Sequence, residues 1–171
     1  MSSFNTFDSE KVIIKPTVGA NADKIMIIKK SDTMDKLKKA KDTYKNRTFI
    51  LQPFINSIKT DGEMSLIFFN KVFSHGLSKV PKRGDFRVQE EHGGTLELLK
   101  NLDDQIINLC RKVLSLLPYD CFYSRIDLIF DRGHPVLMEI EVIEPSLYFN
   151  LEPKSAKLFA KRVSDYFNRQ C

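Results

Sequence analysis

The tightest constraint on the fold is the run SRIDLIFDRGHPVLMEIEVI, residues 124–143, two apolar stretches joined by a polar turn, with charge at alternate positions in each. Side chains two apart in a strand share a face, so Met138, Ile140 and Val142 point one way and Glu139 and Glu141 the other. Arg125 and Asp127 alternate with Ile126 and Leu128 in the same manner. With Arg132, Gly133 and His134 as a three-residue turn, Asp131 faces Pro135, Asp127 faces Glu139 and Arg125 faces Glu141. Directly opposed Cβ atoms lie about 4.5–5.5 Å apart and like charges there are destabilising, so Asp127 against Glu139 calls for a cation. With Glu141 added, three hard oxygen donors converge, which is Mg²⁺ chemistry completed by waters and phosphate oxygens. The competing reading is a slipped register that leaves the carboxylates apart on a solvated face.

A chain of 171 residues with 42% hydrophobic content suits one domain or a two-lobed one and is neither disordered nor a membrane protein. No apolar run approaches the ~18 residues of a spanning helix, and the opening MSSFNTFDSE lacks the basic start and apolar core of a signal peptide. Cys110, Cys121 and Cys171 show no CxxC spacing, and we read them as reduced thiols in a cytoplasmic protein.

The net charge of +5 is unevenly placed. Residues 1–60 hold 12 Lys/Arg against 6 Asp/Glu, whereas residues 61–171 hold 15 against 16. A basic first third points to nucleic acid or to a small polyphosphate. Much of its charge lies in KKSDTMDKLKKAKDTYK, which reads as the solvated face of a helix over 31–44 with Met34, Leu37 and Tyr44 inward and Ser31 or Asp32 as cap.

Strands are expected over 11–15, 24–30 and 48–55 around that helix. Two alternating runs, 63–70 and 71–80, meet at Asn70 and Lys71 as a hairpin, and KRGDFRVQEEHGG follows as loop with a short strand at most. A helix over 103–117 shows Ile106, Cys110, Val113 and Leu117 on one stripe. The last helix starts near Pro153 with Ala156, Phe159, Ala160, Val163 and Phe167 as its core stripe. The seam between a small basic lobe, 1–55, and a larger antiparallel lobe, 56–171, falls within Pro53–Asp61.

Lys15 ends the apolar strand VIIK just before the small-residue loop PTVGANAD, where a lysine can reach phosphate oxygens while loop amides cover them. Lysines also end strands for solubility alone. Lys79 and Arg87 add cations along SHGLSKVPKRGDFR, and there is no GxxxxGK[ST] motif, so ATP held by a fold other than a P-loop is indicated.

Taken in order, KPTVGANADK, LQPFI, DGEMSL, FSHGLSKVPKRGDFRVQEEHGG, SRIDL and MEIEVIEPSL resemble the ATP-grasp superfamily over nearly the whole chain. The likeness is greatest to the ATP-binding part of prokaryotic glutathione synthetase and to D-cycloserine-type ligases. The resemblance implies an α+β ATP-grasp fold of two lobes, with antiparallel sheets and helices and the nucleotide in a cleft between them. It assigns Lys15 to the phosphates beneath a lid loop, and Gln52, Pro53, Phe54 and Ile55 to the hinge that meets adenine. Glu63 goes to the ribose hydroxyls, Lys79 and Arg87 to basic positions near the phosphates, and Asp127, Glu139 and Glu141 to the metal. Arg125 matches the arginine that stabilises a tetrahedral intermediate.

Three departures from the family pattern stand out. Glu139-x-Glu141 replaces the usual acidic-x-Asn pair, the lid carries one glycine where many relatives have several, and the N-terminal substrate domain with an earlier phosphate-binding lysine is not found upstream. The implied cofactors are ATP and Mg²⁺, with Mn²⁺ as an alternative ion. The implied activity is carboxylate–amine ligation through an acylphosphate, completed by a separate substrate-domain polypeptide, a missing region or a homo-oligomeric partner, so that the isolated chain binds nucleotide but turns over little. The competing class is a nucleotide-binding pseudoenzyme or regulatory module. No nucleic-acid or membrane partner is expected. His75, His92 and His134 read as packing or turn residues, and Glu144, Pro145 and Ser146 border the acceptor site.

Overall fold

Both alternating hairpins form, and each closes through two residues in the left-handed region: Asn70 and Lys71 (φ 50° and 61°), then Arg132 and Gly133 (φ 51° and 80°). Successive positive-φ residues match the twist of the flanking strands. The computed structural model describes residues 6–18, 22–88 and 90–168, and the chain divides into two compact units, residues 1–56 and 57–171.

In the first unit, β1 (Lys11–Pro16) lies between β2 (Met26–Lys29) and β3 (Phe49–Pro53), antiparallel to both. Val12 and Ile28 pack with Ala40 of helix α1 (Met34–Tyr44), joined by Ile14, Met26 and Leu51. By alternation, Ile13, Lys15 and Gln52 occupy the opposite face of this sheet. Helix α1 starts later than the sequence predicts. Its N-cap is Thr33, without a side-chain cap bond, because the Asp32 carboxylate accepts the Lys29 amide at 2.7 Å and pairs with Lys36. Of the expected inward stripe Tyr44 is buried, together with Ala40, whereas Met34 is 68% exposed and Leu37 lies at the rim. The Tyr44 hydroxyl stands between two acceptors, the Lys24 carbonyl and, at 3.1 Å, the Ile14 carbonyl, which fixes the helix by its C-terminal turn.

The second unit is built on a five-stranded antiparallel sheet. Its strands are β4 (Glu63–Phe69), β5 (Val72–Val80), β6 (Thr95–Leu98), β7 (Tyr123–Asp131) and β8 (His134–Glu141), in the order β6-β5-β4-β7-β8. Strand β6 follows the expected loop, in a stretch to which the sequence reading assigned no element. Its four residues alternate between exposed and half-buried, too short a pattern to stand out.

The two faces of this sheet divide the core. Leu66, Phe68, Ile126 and Leu128 face helix α2 (Asp104–Ser115), which answers with Ile107, Cys110 and Leu114; Ile106, Val113 and Leu117 flank this line rather than centring it. Asp103 caps α2 by accepting the Gln105 amide at 2.8 Å. On the other face, Ile67, Phe69 and Leu77 are covered by Leu147, Tyr148, Phe149 and Leu151 and by Leu158 and Phe159 of helix α3 (Pro153–Asn168). The expected α3 stripe is therefore met only in part. Ala156, Ala160 and Phe167 are exposed, while Ser155 is buried and the Phe159 ring meets those of Phe69, Phe122 and Phe149 with centroids 5.0–5.7 Å apart. No helix among the described residues is long and apolar enough to cross a membrane.

Candidate metal and nucleotide site

The β7–β8 pairing places the carboxylates where the sequence predicts, by a different route. The turn has two residues, so Asp131 pairs with His134 and Phe130 with Pro135, correcting the three-residue turn. A register shift between Asp127 and Leu128, with Leu137 opposite Leu128, leaves Met138 as the extra residue of a bulge and restores Asp127 opposite Glu139 and Arg125 opposite Glu141. Asp127, Glu139 and Glu141 then each offer an oxygen, all within 4.8 Å of one another.

The same face continues across β4 and β5. Ser65 pairs with Asp127, and Glu63 pairs with Lys79. The Ser65 hydroxyl donates to an Asp127 oxygen. Lys79 donates to Glu63 at 2.6 Å and to Asp127 at 3.5 Å. Arg125 spans its neighbours: Nε and Nη2 donate to the two Asp127 oxygens at 2.9–3.1 Å, and Nη2 also reaches Glu141. Lys79 is 4% exposed and Asp127 2%, so these charges are held by each other rather than by water.

Burial works against the ammonium of Lys79, but Glu63 and Asp127 outweigh it and hold its pKa above the ordinary lysine value. Arg125 is likewise opposed by burial and raised overall by Asp127 and Glu141. Burial, then the negative charge of Asp127, pushes Glu63 up to about 7. Lys79 therefore keeps its proton, and Glu63 is the member of the pair that titrates near neutrality. Burial also raises Glu141, ahead of the opposing pull of Arg125. With every group ionised, two cations, Lys79 and Arg125, face four carboxylates, Glu63, Asp127, Glu139 and Glu141, leaving a formal charge of −2.

A glycine makes room for this arrangement. Gly62 has φ +74°, and a Cβ there would stand 2.1 Å from the Lys79 carbonyl oxygen. The bare backbone lets the start of β4 close against the end of β5, which seats Glu63 on Lys79. Ser65, Gly62 and Tyr148, whose ring lies 6.0 Å from the Lys79 ammonium, were not singled out as site residues. Ser65 could have been found by its i+2 spacing from Glu63.

The remaining sequence-predicted residues lie on other elements or in loops. Arg87 sits in the loop after β5, with Nε and Nη2 on the Asp85 carboxylate at 2.7–3.2 Å. Its guanidinium holds that carboxyl far below the usual range. Lys15 lies at the end of β1, opposite Ile50, and is half-buried. Of the residues assigned to a hinge, Gln52 pairs with Ile13 and Pro53 ends β3. Buried Phe54 donates its amide to the Lys11 carbonyl at 2.9 Å and lies beneath the Lys11 ammonium, and Ile55 follows half-buried. Gly19 and Ala20 of the lid loop lie outside the described residues, as does Cys171. His75 is buried, whereas His134 opens β8 beside the turn.

Residues 1–155 match the model of the prokaryotic glutathione synthetase ATP-grasp domain. The cycloserine biosynthesis protein DcsG of Streptomyces lavendulae is 32% identical over 129 residues, covering 68% of this chain and 41% of that protein. The chain thus spans less than half the length of that curated relative. Among solved structures, D-cycloserine synthetase DcsG superposes with a TM-score of 0.80 at 21% identity, over 96% of this chain and 59% of the other. D-alanine–D-alanine ligase from Bacillus anthracis gives 0.67 at 16% identity, over 95% and 55%. The α+β fold of two antiparallel sheets with flanking helices is the one these structures share.

Proposed function

We propose, from the premise that this chain belongs to the prokaryotic glutathione synthetase ATP-grasp domain family, that it is an ATP-grasp ligase domain which binds Mg²⁺·ATP and activates a carboxylate for attack by an amine. The observation that carries the metal part of this reading is the convergence of Asp127, Glu139 and Glu141 within 4.8 Å. Their all-oxygen donor set fits a hard divalent cation, and the formal −2 of the surrounding cluster matches its charge. Mg²⁺ or Mn²⁺, when bound, supplies neutralisation of polyphosphate charge.

The chain's own residues do the rest. Arg125 holds Asp127 and Glu141 in fixed orientation, so the ligand oxygens are aimed before any ion arrives. One of its N–H groups turned outward would stabilise the oxyanion formed when the amine attacks the acylphosphate carbonyl. Lys15 and Arg87 are assigned to phosphate oxygens. Lys79 gives two of its three N–H groups to Glu63 and Asp127 and balances the carboxylates in that place, so that at most the third is left for a phosphate. Gln52, Pro53, Phe54 and Ile55 are assigned to adenine, with the Phe54 amide already committed to Lys11, and Glu63 to the ribose hydroxyls. The substrates are a small carboxylate and an amine. Positioning them against the γ-phosphate falls to a substrate domain on this or another polypeptide, or to a second copy of the chain.

Calorimetric titration of Mg²⁺·ATP into the wild type and the Glu139→Ala/Glu141→Ala variant tests the assignment. Loss of a metal's outer hydrogen-bond partners alone costs about tenfold or more in affinity, so loss of two ligands is expected to weaken binding by at least that factor and to abolish its magnesium dependence. Equal affinity with unchanged magnesium dependence rejects the metal site.

A further inference from the structure

Tyr148 is a bulky residue in a backbone region that such residues avoid, with φ 51°. Its own carbonyl accepts the amides of Leu151 at 3.0 Å and Glu152 at 3.3 Å, so the chain turns there toward α3. The residue before it is fixed from beneath. His75 of β5 is 5% exposed, and its Nε2 lies 3.1 Å from the Leu147 carbonyl while Nδ1 lies 2.9 Å from the Ser74 hydroxyl. A carbonyl only accepts, so Nε2 carries the proton and Nδ1 accepts from Ser74. His75, Leu77 and Lys79 point to the same face of β5, and Leu77 packs against the 147–151 segment. The segment therefore crosses the strand with the Leu147 carbonyl on His75 and the Tyr148 ring on Lys79. Of the three Lys79 donors, one goes to Glu63 and one to Asp127, and the Tyr148 ring centroid lies 6.0 Å from the same nitrogen.

We infer that Tyr148 is a positioning residue that keeps the Lys79 ammonium turned onto Glu63 and Asp127, and that the His75–Leu147 hydrogen bond is the latch that holds Tyr148 in place. Lys79 thereby stays a counter-ion for the metal carboxylates, and an anion reaches it only after the Tyr148 ring has moved. The inference deepens the metal-site reading above and rests on it for its consequence, though not for its geometry.

Two measurements separate the parts. In the ligand-free chain carrying isotope-labelled lysine, the ring face of Tyr148 shifts the Lys79 ε-methylene protons upfield. The shift is expected to vanish in Tyr148→Leu and in His75→Ala, and to persist in His75→Gln, whose amide still donates to Leu147. Should His75→Ala fail to fold, His75→Phe keeps the ring volume without the nitrogens. Absence of the shift in the wild type, or its survival in the nitrogen-free variant, overturns the latch.

The second measurement is Mn²⁺ binding followed by electron paramagnetic resonance. Tyr148→Leu and His75→Ala are each expected to weaken it by about fivefold, the scale of one buried cation–ring contact, and the double variant by no more than either. Unchanged affinities, or effects that multiply, overturn the positioning role. A wild type that binds no Mn²⁺ sinks the metal-site reading and the consequence drawn from it, while the ring shift still decides whether the latch exists.

Discussion

Lys15 and Lys79 both read as phosphate ligands, yet the two units treat their cations in opposite ways. In the first unit the basic side chains lie on helix α1 and at the margins of a three-stranded sheet whose core is small, and Lys15 stays half-exposed at a strand end. In the second, Lys79 and Arg125 are buried beside Asp127 on a five-stranded sheet with apolar clusters on both faces. Each buried ion carries a desolvation cost of several kcal/mol, offset only where partners are near and well aligned. The second unit therefore holds its charges pre-organised in the interior and depends on every partner, whereas the first pairs its cations at the surface, as Lys24 with Asp23 and Lys36 with Asp32, where each pair contributes little. Stability measurements should separate the two.

The largest difference is expected at Arg125. Arg125→Ala leaves half-buried Glu141 without its cation and buried Asp127 with Lys79 alone, and breaking a buried pair in this way typically costs about 3–5 kcal/mol. Hydrogen exchange, read separately for residues 6–56 and 57–168, should show that loss in the second unit alone, partly restored by millimolar Mg²⁺. A loss shared equally by both units, or one below about 1 kcal/mol, would mean that the buried cluster is not the element on which the second unit depends.

A smaller, pH-dependent difference follows from Glu63. Its carboxyl is raised from 4.5 to about 7, so the folded chain holds a proton that the unfolded chain releases between those values. The stability this proton contributes is fully present below pH 4.5 and is lost as the pH rises through 7. At about 1.4 kcal/mol per pKa unit, the upper bound is about 3 kcal/mol. Urea unfolding at pH 5 and pH 8 should therefore show a fall that is reduced in Glu63→Gln. His75 acts with the opposite sign: burial lowers its pKa, so its contribution is present above 6.5 and declines as the pH falls. An identical pH slope in the wild type and Glu63→Gln would show that Glu63 is not the group titrating near neutrality.

The same contrast explains what could be read from the sequence. Alternation in β7 and β8 carries the charges in an otherwise apolar context, so the pairing of Asp127 with Glu139 was legible even though the turn length was not. A shorter turn and a one-residue bulge cancel, and sequence spacing cannot distinguish that outcome from a longer turn. Ser65 shares a face with Glu63 by its i+2 spacing, but a lone serine in EMSLIFF carries a weak signal until Asp127 is set beside it. Tyr148 was invisible because its position comes from a strained turn and a hydrogen bond to a residue 72 positions before Leu147. The stripes of α1 and α3 were legible in part: Tyr44 and Phe159 turn inward as the sequence predicts, whereas Met34 and Phe167, near helix ends, stay exposed because the core clusters of the described residues do not extend over those outer turns.

The smallest stability effect is expected at Lys15. Lys15→Ala removes a half-exposed side chain at the end of β1, opposite Ile50, and leaves the Val12–Ile28–Ala40 core untouched. Substitutions of this kind usually stay within about 0.5 kcal/mol, so the midpoint of unfolding should hardly move. Nucleotide affinity should behave differently, because a charge-assisted contact to a phosphate contributes about 1.5–3 kcal/mol, or on the order of tenfold or more in Kd. Comparing ATP with adenosine isolates the effect, since only ATP carries the phosphates that Lys15 would meet. A Lys15→Ala chain that loses ATP affinity, keeps adenosine affinity and keeps its stability would place the first unit's contribution wholly in binding. A chain that loses stability instead, with both ligands equally affected, would put Lys15 among the structural cations and erase the contrast with Lys79.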